Sequence, residues 1–160
     1  MKKTITLALA SLLSLSAICQ VTLDEVKKVQ DMWGKGKKAL TTELLKLDAG
    51  QQAAFDKVYD GYLAERQKIG QERIALIDEY AKTYSGIDDA KADFLAKGFF
   101  RNNEQLNKLH KRYYKKFSKA LSPAKAAQWA QLENYIDNVV RSEMQEYVPF
   151  LEPGQLKRKK

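Results

Sequence analysis

The chain has 160 residues, of which 28 are Lys or Arg and 20 are Asp or Glu, giving a net charge of +8 at pH 7. This length suits a single domain, and the one cysteine, Cys19, leaves no partner for a disulfide within the chain. Residues 20–160 carry a net charge of +6, and Lys157–Lys160 supply four of those positive charges. The body is therefore too weakly basic for nucleic-acid binding to be expected from overall charge.

The first 20 residues resemble an export leader. Lys2 and Lys3 precede an apolar run, Ile5–Leu15, that is too short to span a bilayer. We expect a cleaved signal peptide over residues 1–19, with cleavage after Cys19 and a secreted product. The alternative is a lipoprotein acylated at Cys19, which is disfavoured because Ile18 is larger than the residue that such a signal prefers.

An all-α fold is predicted for residues 20–152, followed by a basic, disordered tail over 153–160. Only four glycines and prolines lie between positions 53 and 120, and no segment alternates as a strand would. Thr22–Glu25 forms a capping box that opens a first helix through Val26, Val29, Met32 and Trp33. Gly34 and Gly36 weaken this helix, so we expect it to bend or break there and resume over residues 39–47.

Three long helices should follow, each with one apolar stripe. The second begins at Asp48 and ends near Gly86, which we expect to adopt a left-handed C-cap conformation. Arg66 and Arg73 interrupt its stripe, and their heads should reach water. Asp88 or Asp89 should cap the third. The stripe residues of the second helix are Phe55, Val58, Tyr59, Tyr62, Ile69, Leu76, Ile77, Tyr80 and Tyr84; those of the third are Leu95, Phe99, Leu106, Leu109, Tyr113 and Phe117; those of the fourth are Trp129, Leu132, Ile136, Val139, Val140, Met144, Val148 and Leu151.

The corner between the third and fourth helices lies at Leu121-Ser122-Pro123-Ala124-Lys125. Ser122 is a favourable N-cap, and Pro123 fits the first helical position, where its missing N–H costs nothing. A similar stretch occurs upstream as Leu47-Asp48-Ala49-Gly50-Gln51, in which Asp48 and Gln51 have the spacing of a capping box. Both stretches are predicted to start helices.

One face of the third helix is strongly basic. At 100° per residue its eight cations fall within an arc of about 140°, opposite the apolar stripe. We define this basic face as Lys97, Arg101, Lys108, Lys111, Arg112, Lys115, Lys116 and Lys119. Phe100 and Tyr114 lie beside it, while residues 48–93 and 126–152 each carry a net charge of −4.

The basic face has two interpretations. It is either a solvated surface whose lysines pair loosely with acidic neighbours, or a surface that holds acidic or unfolded polypeptide. A membrane-surface role is weaker, because the face lacks large apolar residues for insertion. The client-binding residues predicted on the second interpretation are Lys97, Phe100, Arg101, Lys108, Lys111, Arg112, Tyr114, Lys115 and Lys119.

Nothing in the sequence points to catalysis. His110 is the only histidine and lies beside the apolar stripe, so we interpret it as a partly buried or flanking residue. A zinc or copper site would need further nitrogen or sulfur ligands, and Gly-rich phosphate loops are missing from the sequence. We therefore expect no enzyme, no metal and no cofactor.

The two corner stretches resemble the paired Leu-Thr-x-x-Gln motifs of the Spy/CpxP family of periplasmic proteins. Asp48 and Ser122 replace the motif threonine, and Lys125 replaces the second glutamine. The resemblance implies an elongated, curved antiparallel hairpin of about four helices, often an antiparallel dimer, whose concave face binds unfolded proteins without ATP. Some relatives instead regulate an envelope-stress sensor kinase, and others bind metal. In that family the motif residues are chiefly structural; here they are Leu47, Asp48, Gln51, Leu121, Ser122, Pro123 and Lys125.

The leading hypothesis is an ATP-independent periplasmic holding chaperone or envelope-stress adaptor, whose partners are unfolded or acidic polypeptides and a second copy of the chain. The first alternative is a regulator that docks on one folded partner, such as the periplasmic domain of a sensor kinase. The second is a structural envelope protein whose basic tail contacts anionic lipid or polysaccharide.

Overall fold

The computed structural model describes residues 36–148 together with 150 and 151. Over this part the chain forms four α-helices: α1 over residues 36–45, α2 over Ala49–Thr83, α3 over Asp89–Ala120 and α4 over Pro123–Tyr147. A short 3-10 helix, Tyr84–Gly86, follows α2. The predicted all-α class is therefore confirmed. The predicted leader, the capping box at Thr22–Glu25 and the basic tail over 153–160 lie outside the described residues.

α2 and α3 form an antiparallel hairpin, and α4 folds back along α3. The hairpin register is set by Arg73, whose guanidinium donates to Asn103 at 2.9 Å, and by Tyr113, whose hydroxyl donates to Glu65 at 2.8 Å. α1 runs antiparallel to α4, because Lys37 pairs with Glu133 near one end of α1. At the other end of α1, the ammonium of Lys125 donates to the carbonyl of Leu45.

The helix starts follow the predicted caps. The Asp48 carboxylate accepts from the Gln51 N–H at 2.8 Å, and the Gln51 side chain accepts in return from the Asp48 N–H at 3.3 Å. Asp88 accepts from the backbone N–H of Lys91 at 2.8 Å, which identifies it as the cap of α3. At the second corner the Ser122 hydroxyl accepts from the N–H of Lys125 at 3.2 Å. These three caps confirm the predicted helix starts.

Two predictions about the helix ends were wrong. The first described helix already includes residues 36–38 and ends at 45, whereas we expected it to resume over 39–47; the expected break at Gly34 lies outside the described residues. Gly86 does not adopt a positive φ, since α2 ends in a 3-10 turn that needs no left-handed residue. Lys46, directly after α1, adopts φ 46° instead.

Two hydrophobic clusters of unequal size form the described core. The larger joins the aromatic side chains at the end of the molecule where α1, α3 and α4 meet the start of α2. Its buried members are Leu45, Phe55, Tyr59, Tyr62, Leu106, Leu109, Tyr113, Phe117, Ala126 and Trp129. The smaller contains Tyr80, Ile87 and Leu95 beside the turn between α2 and α3.

Between the clusters, Asn102 is buried and donates its amide to the carbonyl of Ile69 at 2.8 Å. A Cβ added at Gly98, one turn earlier on α3, would lie 2.6 Å from a methyl carbon of Leu76. α2 and α3 are therefore in close contact along the middle of the hairpin as well as at its ends.

The apolar stripes of α2 and α3 are confirmed, since all of their members are buried or half-buried. The stripe of α4 is only partly right. Val139 is 42% exposed, and Leu151, 40% exposed, lies beyond the helix, which ends at Tyr147 rather than Leu151. Two acidic residues of α4 that were not assigned to the stripe, Glu133 and Asp137, are buried instead.

Candidate functional site

The basic face forms the outward side of α3. All eight of its cations are exposed, while the opposite side of the helix carries the buried residues of the larger core cluster. Because α3 is one continuous helix over Asp89–Ala120, the cations extend along about 33 Å at 1.5 Å per residue from Lys97 to Lys119. The helix therefore presents a long positive strip to solvent.

Four of these cations have a partner close by. Lys97 pairs with Asp93 at 2.6 Å and Lys108 pairs with Glu104 at 2.8 Å, both within one turn of α3. Arg112 pairs across the hairpin with Glu65 of α2. Lys116 lies 4.1 Å from the ring centroid of Tyr113.

The other four cations, Arg101, Lys111, Lys115 and Lys119, have no ion pair within the part of the chain that the structure describes. Much of the acidic charge of the neighbouring helices is engaged elsewhere. Asp56 and Asp60 pair with Lys38 at 2.9 and 2.7 Å, and Glu79 pairs with Lys91 at 2.6 Å. Three of the eight cations thus have the loose acidic pairing that one interpretation expects, and among the described contacts Arg112 alone pairs with an acid of another helix.

Aromatic side chains flank the basic face as predicted. Phe100 is 71% exposed and Tyr114 is 38% exposed. The two lie on the same edge of α3, about 21 Å apart along the axis at 1.5 Å per residue. Phe94, which the sequence analysis did not single out, is 52% exposed, with the Lys91 ammonium 5.4 Å from its ring centroid. Phe94 and Arg101 line an open groove between α2 and α3 of about 580 Å³.

A second polar arrangement was not predicted and lies inside the bundle. Six side chains from all four helices meet beside Trp129. We call this the buried polar cluster; its members are Lys37, Tyr62, Arg66, His110, Glu133 and Asp137.

Glu133 is the centre of the buried polar cluster. Its carboxylate accepts hydrogen bonds from both the Lys37 ammonium and the Tyr62 hydroxyl. Burial, together with the Glu133 charge, raises the pKa of Tyr62 well above its usual value of 10. The hydroxyl therefore stays protonated and acts as a donor to Glu133. Its oxygen is left to accept from the Nε2–H of His110 at 3.2 Å.

Asp137 is the second acid of the cluster, one helical turn after Glu133. The Arg66 guanidinium donates to it at 2.8 Å, so the head of Arg66 lies against a carboxylate inside the bundle and the prediction that it reaches water was wrong. Arg73 is half-buried, and its guanidinium donates to Asn103 of α3. His110 Nε2 lies 3.6 Å from the Asp137 carboxylate.

Burial lowers the pKa of His110 below 6.5, although Asp137 and Glu133 act in the opposite direction. The ring is therefore held neutral, and the interpretation of His110 as a partly buried residue is confirmed. Each of the two carboxylates is already engaged by a cation. Among the described residues, no group of three His, Cys, Asp or Glu side chains is placed to hold a metal ion. The cluster thus has a structural arrangement, in which ion pairs and hydrogen bonds connect the four helices.

The sequence does contain a signal for this cluster. Tyr62 and Arg66 are four residues apart on α2, and Glu133 and Asp137 are four residues apart on α4, each pair on the core-facing stripe of its helix. Polar residues at matching intervals in two apolar stripes indicate an interhelical contact. The interpretation of Arg66 as an interruption of the stripe leaves out its ion pair with Asp137.

In the described part of the chain, every helix is too short or too polar to cross a lipid bilayer. Comparisons of the sequence with protein-family models, with curated proteins and with solved structures found no match.

Proposed function

We propose that this protein is an exported, ATP-independent holding chaperone that captures unfolded polypeptide on the basic face of α3. The observation that carries the proposal is the exposed ring of Phe100, 71% accessible, on a helix face that has four cations without an ion pair among the described residues. Exposed cations attract acidic segments over a distance, and a neighbouring aromatic ring supplies short-range apolar contact. The resemblance of the corner motifs to the Spy/CpxP family supports the same proposal.

The cations without ion pairs provide the direct test. In Lys111→Glu/Lys115→Glu, client capture should slow, because the charge attraction becomes repulsion. Lys57→Glu/Lys68→Glu on α2 is the matched control, since both lysines are exposed and the change in net charge is the same. Capture is measured as suppression of aggregation of several unrelated unfolding proteins, at low and at high salt. Equal activity of both variants and the unmodified protein would contradict the proposal.

The aromatic edge provides an independent test. Phe100→Ser/Tyr114→Ser should speed client release, while leaving helicity unchanged because both side chains point away from the core clusters. Tyr135→Ser on α4 is the matched control, because Tyr135 is 66% exposed but lies away from the basic face. If Tyr135→Ser releases clients as fast as the α3 variant does, client binding occurs on another surface.

A dedicated regulator would behave differently in the same assay. It would bind one folded partner, such as a sensor domain, and suppress aggregation of none of the unrelated clients. Export is tested separately by mass spectrometry of the secreted chain. We expect a chain that begins at Gln20 without an acyl group; a lipid on Cys19 would make the protein membrane-anchored.

A further inference from the structure

A cavity of about 190 Å³ lies between α2 and α4, directly beside the buried polar cluster. Three members of that cluster, Lys37, Arg66 and Asp137, form part of its lining. The apolar part of the lining comes from both helices and consists of Leu63, Gly70, Ile74, Ile136, Val140 and Met144. A concave, mostly apolar space with a few charged groups is the usual composition of a small-molecule site.

The contacts between α2 and α4 place the charged groups at one end of the cavity. Arg66 of α2 donates to Asp137 of α4, across a separation of 71 residues. One turn earlier, Tyr62 donates to Glu133 across the same separation. The two helices therefore run parallel and in step, and Met144 lies about 10 Å beyond Asp137 at 1.5 Å per residue. The cavity thus extends from a charged end to an apolar end over about two turns of each helix.

Gly70 forms the α2 wall midway along the cavity. It lies in the interior of α2, where a glycine costs about 1 kcal/mol relative to alanine. Leu63 and Ile74 lie on the same stripe of α2 and also line the cavity, so a side chain at position 70 would project into the space between the helices. The cavity is therefore kept open at a position where glycine is otherwise unfavourable.

The charged end of the cavity offers buried hydrogen-bond donors that lack an acceptor. The Nε atoms of Arg66 and Arg73 are buried and have no hydrogen-bond partner among the described residues. A guanidinium group carries only donors, so such an N–H is satisfied only by an acceptor such as an oxygen atom. Leaving a buried donor unpaired costs about 1–3 kcal/mol. Because Arg66 lines the cavity, its Nε–H favours a ligand oxygen at this end.

Positive charge also exceeds negative charge near this end. Arg141 follows Val140 on α4 and has no ion pair within the part of the chain that the structure describes. Burial, and after it the charges of Arg141 and Arg66, lower the pKa of the Arg73 guanidinium. Asp137 acts in the opposite direction. Three guanidinium groups thus interact here with a single carboxylate, while the other ion pair of the buried polar cluster is neutral in sum. This excess of positive charge favours an anionic ligand.

We propose that this cavity binds a small carboxylate whose apolar body has about six to eight carbon atoms, since an apolar cavity of about 150 Å³ is large enough for benzene. The carboxylate accepts from the Nε–H of Arg66, and the body lies against the apolar walls toward Met144. Arg73 and Arg141 stabilise the negative charge from a greater distance. The cavity lies between α2 and α4, whereas the basic face is the outward side of α3, so the proposal does not depend on the chaperone function.

The first experiment compares two head groups on the same apolar body. Octanoate and octylammonium are titrated separately into the full-length protein, and binding is measured by isothermal titration calorimetry. We expect octanoate to bind in a one-to-one ratio and at least about tenfold more tightly than octylammonium, because only the carboxylate accepts a charge-assisted hydrogen bond from Arg66. This comparison needs no substitution in the protein.

Two substitutions locate the bound octanoate. Gly70→Leu fills the cavity and should abolish binding, whereas Ala64→Leu adds a leucine at an exposed position of α2 and should leave binding unchanged. Arg66→Lys keeps a cation beside Asp137 but removes the Nε–H, so it should weaken octanoate binding about tenfold. Arg101→Lys is its matched control, because it makes the same change at an exposed arginine of α3.

Three results would overturn the proposal. The first is the absence of octanoate binding, and the second is equal affinity for octanoate and octylammonium. Both are obtained on the unmodified protein and so hold whether or not a variant folds. The third is unchanged octanoate affinity in Gly70→Leu or in Arg66→Lys with helicity intact, which would place the ligand outside this cavity.

Discussion

The buried polar cluster yields the sharpest prediction for stability. The side chains of Lys37 and Glu133 are 6% and 1% exposed, so removing either partner leaves the other charge buried without compensation. Glu133→Gln should therefore destabilise the fold by about 3–5 kcal/mol, the usual cost of breaking a buried ion pair from one side. The amide keeps the shape of the carboxylate, so the loss reports on charge rather than on packing.

Removing both charges should restore most of this loss. In Lys37→Met/Glu133→Gln no buried charge remains unpaired, and replacing a buried pair by neutral groups is often neutral or stabilising. We therefore expect a double-mutant cycle to give a coupling free energy of about 2 kcal/mol or more.

The cycle is measured by urea unfolding, followed by circular dichroism, for the four proteins. Glu104→Gln is the matched control, because Glu104 also pairs with a lysine but on the exposed side of α3; it should leave the urea midpoint unchanged. Two results together would refute the view that Lys37 and Glu133 form a buried, interdependent ion pair between helices. Glu133→Gln would lower the free energy of unfolding by less than about 1 kcal/mol, and the effects of the two single substitutions would be additive.

Three further predictions concern single residues. Since burial keeps the pKa of His110 below 6.5, the neutral ring contributes stability that is present above pH 6.5 and is lost as the pH falls through the lowered pKa. His110→Gln should therefore flatten this part of a curve of unfolding free energy against pH. An unchanged curve would contradict the view that the buried His110 ring is neutral. Ser122→Ala should cost about 1 kcal/mol in urea unfolding through loss of the α4 cap, with a smaller effect for Pro123→Ala. Lys46→Gly should stabilise the fold by about 0.5–1 kcal/mol, because glycine adopts the left-handed conformation without strain, whereas Lys46→Ala, which keeps the strain, should give no gain in thermal midpoint.

The helices could be predicted from the sequence because their signals are local. Asp48, Asp88 and Ser122 each cap the helix that follows through a bond to a backbone N–H only three residues away. The apolar stripes of α2 and α3 likewise depend on spacing within one helix. The error at Gly86 arose because α2 ends in a 3-10 turn rather than in a left-handed residue.

The two polar surfaces differ in how far the sequence could reveal them. The basic face lies on one helix, so the arc of its cations follows from helical geometry alone. The ion pairs of those cations do not follow from helical geometry, because they depend on which acids of α2 and α4 already pair with other cations. The buried polar cluster joins Lys37, Tyr62 and Glu133 from three helices, separated by up to 96 residues. Such a contact can be identified only when the packing of the helices against one another is known.

The unequal size of the two core clusters has a consequence for how the molecule opens. Ten buried residues hold one end of the α2–α3 hairpin, whereas Tyr80, Ile87 and Leu95 hold the other. Cooperative unfolding units are least stable where few apolar contacts anchor them. The turn between α2 and α3 should therefore separate in local fluctuations that leave the aromatic end intact. Because the basic face begins at Lys97, close to that turn, its first residues belong to the region that opens most easily, and the residues up to Lys119 belong to the region that stays closed.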